Sequence, residues 1–223
     1  MYKIRLLFEK SGAAAYISHL DLMQAIQRSM CRAKLPVRYS EGFNPHIKLS
    51  ILVPLSTGFA SRCELCDFEL LEPVEADELL VRLNGAFPAG IRALAVCGTS
   101  RSVSAIAWCE YEIRWPEGDA ARAADAFAGA PLRVEKRSKR GTKEISVQDY
   151  VRAISFECQD GALVCRATLQ AGDDPLNPAY ITTALTQAGV LPEEVTAQYT
   201  RLSVLMADGT DFIQEACDEK TKL

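Results

Sequence analysis

The chain lacks any run of about 18 apolar residues, the length needed to span a bilayer. Its opening stretch, MYKIRLLFEKSG, alternates polar and apolar side chains and has neither a hydrophobic signal core nor a small-residue cleavage site. A membrane-bound or secreted protein is therefore not expected, and a cytoplasmic location is. Glycine-rich phosphate loops of the Walker or Rossmann kind are missing, which argues against nucleoside triphosphate or nicotinamide chemistry. No C-x-x-x-C-x-x-C triplet occurs, so a radical SAM enzyme of the usual kind is excluded. Histidine is scarce, with only His19 and His46, and aromatic residues make up 8%, so no stacking platform is obvious.

What is present suits a globular protein. The 223 residues are 48% hydrophobic and 24% charged, enough for one large domain or two small ones with a substantial core. The eight cysteines (31, 63, 66, 97, 109, 158, 165 and 217) are scattered, and in a reducing compartment they read as small buried hydrophobes. Cys63 and Cys66 form a C-x-x-C, yet no second pair or histidine follows at zinc-site spacing. On a strand, an odd step of three also sends the two side chains to opposite faces. No metal and no other cofactor is expected.

Charge is uneven. Residues 1–50 carry eight Lys/Arg against three acids and residues 131–152 carry seven against three, inside a chain of net charge −4. Two basic islands in an acidic protein can focus potential locally, or can simply be solvated faces.

Hydrophobic periodicity gives the order of elements. Residues 2–8 alternate as a strand, and 18–34 carry Leu22, Met23, Ile26, Met30 and Ala33 near a helical stripe. Residues 35–39 read as a short strand, 47–53 and 64–71 as extended segments, 75–86 as a helix and 91–97 as a strand. The order returns less clearly as a strand at 108–115, a helix at 118–128, strands flanking a basic turn, a hairpin across Asp160-Gly161, a helix at 177–188 and a strand at 195–205. The fold class expected is α+β, with two tandem ferredoxin-like (βαββαβ) halves and antiparallel sheets, residues 1–98 and 105–215. The end of the chain, from 218, is expected to fray.

The densest chemistry lies in residues 39–50, YSEGFNPHIKLS, which set an acid, an amide, an imidazole, an ammonium, hydroxyls and aromatic rings around Gly42 and Pro45. Gly42 can adopt φ > 0, and Pro45 fixes its own φ while holding Asn44 extended. Such a segment is either a long turn whose polar groups satisfy its own backbone or a loop that carries function. With the upstream ISHLDLMQAIQRSMCRAKLPV, the segment closely resembles the radical-SAM-associated DUF2344 family, whose members usually read S-H-L-D and then Y-S-E-G-F-N-P-H-P-K. Ile47 stands where the family commonly has a second proline. The resemblance continues through residues 63–73 and 135–151, and it implies an accessory role beside a radical SAM protein.

Ser18 and Asp21 fit a capping box at the start of the first helix, which leaves His19 exposed at the helix's positive end. If that end meets the 42–46 loop, His19 and His46 share a cleft and could act as acid and base. The substrate-binding set is then Ser18, His19, Asp21, Tyr39, Ser40, Glu41, Gly42, Phe43, Asn44, His46 and Lys48. A second set, Lys136, Arg137, Lys139, Arg140 and Lys143, forms a basic turn suited to nucleic-acid phosphates, or a solvated hairpin tip. The expected function is an accessory substrate-binding subunit for a radical SAM enzyme, with RNA or a ribosome-linked component as partner and no membrane. The alternatives are a metal-independent RNA-processing nuclease using His19 and His46, and a purely structural interaction module.

Overall fold

The computed structural model describes residues 1–138 and 141–218. The chain forms two compact units, residues 1–105 together with the segment from 208 onward, and residues 106–207. The first unit runs β1 (Tyr2–Lys10), α1 (His19–Arg32), β2 (Leu49–Leu52), β3 (Phe59–Leu70), α2 (Ala76–Asn84) and β4 (Ile91–Cys97). The second runs β5 (Ile106–Trp115), α3 (Ala120–Ala128), β6 (Arg133–Ser138), β7 (Gly141–Ser146), β8 (Val151–Gln159), β9 (Ala162–Gln170), α4 (Ala179–Gln187) and β10 (Gln198–Met206). The chain then returns to the first unit with α5 (Phe212–Asp218). The protein is thus mixed α+β with antiparallel pairing between the neighbouring strands of each unit.

In the first unit the alternation of β1 buries Ile4, Leu6 and Phe8 completely. Register places Ile4 opposite Phe68 and Leu6 opposite Cys66 of β3, while Ile51 of β2 meets Cys66 from the other side. The strand order is β4-β1-β3-β2. Ser18 starts α1: its hydroxyl accepts the Asp21 N–H at 3.1 Å and donates to the Asp21 carboxylate at 2.7 Å. Leu22, Ile26 and Met30, four residues apart, then fall on one stripe and join the β1 side chains and Leu79 and Leu83 of α2 in one core. Each such aliphatic chain contributes about 1.5–3 kcal/mol by leaving water. The last carbonyls of α1 are capped from outside, since Arg82 of α2 donates to Ala33 O at 3.0 and 2.7 Å.

The opposite face of the same strands is charged. Arg5 and Asp67 stand in register and form a two-pronged ion pair at 2.8 Å for each bond. Arg5 also donates to Arg101 O at 2.9 Å and lies 5.6 Å from the ring of Phe212 in α5. With Arg5 2% exposed, the geometry meets the demand that a buried guanidinium have its donors matched.

In the second unit Cys109, Tyr111, Ile113 and Trp115 alternate inward on β5, opposite Leu169, Ala167, Cys165 and Leu163 of β9. The order is β10-β5-β9-β8, with β6 and β7 forming a separate two-stranded hairpin. Trp115 donates to Thr182 at 3.2 Å, and Thr182 shares a hydrogen bond of 2.8 Å with Tyr199, which ties α4 and β10 to the central strand.

Several expectations are corrected. Residues 35–39 make single bridges, Val37 to Leu70 and Tyr39 to Ile47, instead of a strand, because Pro36 has no N–H to continue a ladder. Helix α5 was not foreseen, and it lies in the first unit. Cys97 and Cys217 are joined by a disulfide, and Cys31 and Cys158 are exposed, so the cysteines are not uniformly buried thiols. Cys63 and Cys66 are buried, and burial pushes the Cys66 thiol's pKa up. Among the described residues, no helix is long and apolar enough to cross a membrane.

Candidate functional site

The loop of residues 39–48 is closed at its neck by backbone pairing. Ser40 N–H donates to His46 O at 2.7 Å, and Lys48 N–H donates to Arg38 O at 3.1 Å. Side chains reinforce the closure. His46 N–H donates to Ser40 Oγ at 3.1 Å, and the same hydroxyl lies 2.9 Å from His46 Nδ1. One serine and one histidine thus lock each other, so part of the loop's polar chemistry serves the loop itself. Gly42 sits at φ 124° with nothing within 4 Å of where a Cβ would be, so its backbone, and not its surroundings, requires glycine. What the lock leaves outside is Glu41, Asn44 and Phe43, and Phe43 is fully exposed.

Below the neck, alternate residues face two ways. Ile47 is buried in the core, and its carbonyl accepts from Gln27 of α1 at 3.1 Å. On that side a cavity of about 420 Å³ is lined by Gln27, Arg28, Cys31, Arg32, Tyr39 and His46. The Tyr39 hydroxyl lies 3.6 Å from Cys31 Sγ, and this hydrogen bond holds its pKa above the usual tyrosine range. On the other side Arg38 binds Glu69 at 2.6 Å and holds its carboxyl below the usual range, with Lys48 3.9 Å away. A second cavity of about 310 Å³ there is lined by Lys3, Lys48, Ser50, Asp67, Glu69 and Thr99.

Neither His19 nor Asp21 lines the cavity that takes His46. The cavity that takes His46 begins at Gln27, and eight residues of helix from His19 amount to about 12 Å. Asp21 is engaged with the Ser18 cap, and His19 is exposed at the far end of α1. Arg28, Cys31 and Arg32 are the residues that sequence reasoning missed. Their signal was the i, i+3, i+4 spacing on the polar face of α1, opposite the Leu22–Ile26–Met30 stripe. Among the described residues, no group of three or more His, Cys, Asp or Glu side chains could hold a metal ion.

The basic turn divides. Lys136 is 9% exposed, paired to Asp174 with its ammonium 4.4 Å from the Tyr150 ring centre. Tyr150 donates to the other Asp174 oxygen at 2.8 Å, and these two bonds, that of Lys136 first, hold the Asp174 carboxyl below its usual range. Lys136 thus serves the hairpin's own packing. Arg137 and Lys143 are exposed, and Lys139 and Arg140 lie outside the described residues.

Residues 3–178 match the model of DUF2344, described as an uncharacterized protein conserved in bacteria. The chain belongs to that family. It is also similar to an unknown protein from Galdieria sulphuraria, known from a crystal structure, at 11% identity over 89% of this chain and 96% of that one, with a TM-score of 0.25. No curated protein matches.

Proposed function

We propose that the protein is an accessory binding subunit for a radical SAM enzyme, acting in the cytoplasm on RNA or a ribosome-linked component. The observation that carries the reading is the locked loop. The mutual bonds of Ser40 and His46 hold residues 41–45 outward in one shape, and a preformed loop loses little freedom when it binds. Arg28 beside it, whose one bond is a long one to Gln24, favours an anionic target. The strand orders β4-β1-β3-β2 and β10-β5-β9-β8 support reading each unit as ferredoxin-like, the second with a hairpin inserted. The radical SAM partner rests on the family resemblance, and Arg137 and Lys143 would add phosphate contacts. The alternative, a nuclease pairing His19 with His46, needs both imidazoles at one phosphate.

An anaerobic pull-down, with co-purified protein and nucleic acid identified, tests the proposal. Capture of a radical SAM protein together with RNA is expected, and His46→Ala should abolish the partner-dependent activity while lowering the Tm by only a few degrees. Capture of the protein partner with no RNA affinity would leave a structural clamp instead. Capture of neither would overturn the proposal.

A further inference from the structure

Within that RNA reading, we infer that the groove between α1 and the 39–48 loop holds a single-stranded segment, one base stacked on Tyr39, its phosphate at Arg28, and a neighbouring base on Phe43. Single-strand binders combine a cationic groove with aromatic faces on which bases stack. The groove has the cation of Arg28 and the ring of Tyr39, and Phe43 stands exposed on the same loop. Arg28 makes one long bond, to Gln24 at 3.5 Å, and so retains donors for a phosphate, whereas Arg32 already donates to Ala86 O and Ser29. Tyr39 is tethered at its hydroxyl by Cys31 yet keeps 47% of its surface exposed, and Phe43 is held outside the core altogether. The cavity of about 420 Å³ is within the range of small-ligand sites, enough for one nucleotide.

Other surfaces fit a single strand less well. On the sheet face opposite the core, β1 presents Lys3, Arg5 and Leu7 and β3 presents Leu65, Asp67 and Glu69, with no ring among them. On the hairpin, the ring of Tyr150 is covered by Lys136, and Tyr150 is 9% exposed.

The test is fluorescence anisotropy with a labelled 12-nucleotide single-stranded RNA, and the same sequence as a duplex, across a salt titration. The wild type should prefer the single strand. Tyr39→Ala and Phe43→Ala should each weaken it about tenfold, and Arg28→Ala should weaken it and reduce the slope of log affinity on log salt by about 0.7. Arg92→Ala, removing an exposed cation of β4, controls for loss of charge alone and should change little. Phe43 touches no core, so its variant reports on binding even if Tyr39→Ala loosens the loop. If the wild type binds the single strand and the Phe43 and Arg28 variants bind equally well, the placement is wrong while the RNA reading survives. If the wild type binds no RNA, the RNA reading fails and the inference falls with it.

Discussion

Both units make their longest connection at the same place, between the first helix and the strand at the far edge of the order: residues 33–48 between α1 and β2, and residues 129–150 between α3 and β8. The first unit fills it with an open loop locked by Ser40 and His46 and facing outward. The second folds it into the β6–β7 hairpin, whose Lys136 turns back onto Asp174 and Tyr150. One scaffold position therefore carries opposite uses of polar chemistry: side chains left exposed, and a cation consumed by the fold. Strand order alone would have assigned the two connections the same role, and the difference lies in the residues grafted there.

The largest effect expected on this comparison comes from beneath the sheet of the first unit. Arg5→Ala leaves the partly exposed Asp67 without its partner and should cost about 2–3 kcal/mol in denaturant unfolding. Both tryptophans, Trp108 and Trp115, lie in the second unit. Tryptophan fluorescence therefore reports that unit alone, while circular dichroism reports both. Separation of the two transitions would show that the pair stabilises only its own unit, and coincidence would show that the units unfold as one.

Arg38→Ala removes the anchor below the loop and should cost about 1–2 kcal/mol. Its pH dependence has a definite sign. The Glu69 carboxyl is held low by Arg38, so the stability it lends is present above the ordinary carboxylate range and is lost as pH falls through its lowered pKa. Melting curves of the variant and wild type should therefore converge in acid. Asp174→Asn should show the same convergence in the second unit, where Lys136 and Tyr150 lower the carboxyl. A gap that stays constant down to acid pH would exclude the ion pairs as its source.

Ser40→Ala removes the hydroxyl that locks His46 and should cost about 1 kcal/mol, with a larger loss of partner binding than of stability. The smallest effects are expected at the two tips. Gly42 and Gly141 sit at φ 124° and 120°, each with nothing within 4 Å of a built Cβ. Alanine at either should cost only the backbone strain, about 1 kcal/mol, measurable as a Tm shift of a few degrees. A much larger loss at Gly42 alone would mean that its loop packs against something.

The sequence made some of this legible and not the rest, for physical reasons. The stripe of α1, the Ser18 cap and the alternation of β1 are local periodicities, and all three are in the structure. The chemical density of residues 39–48 marked the loop. The cavity beside it was not legible, because it depends on Gln27 reaching Ile47 across 20 positions. The role of Lys136 could not be read either, because Asp174 is 38 residues away. Helix α5 escaped because its seven residues show little periodicity and its burial comes from Phe212 meeting Arg5.

That last helix has a consequence for how the protein is made. Residues 106–207 are threaded between two parts of the first unit, so the second unit is synthesised whole while the first still waits for Phe212 and Cys217. At about 5–20 residues per second, translating those roughly 100 residues leaves Arg5 without its cover for about 5–20 s. The unit that begins first is finished last, and a ribosome pausing before position 208 would hold a nascent chain with a charged face open to whatever anion or chaperone is near.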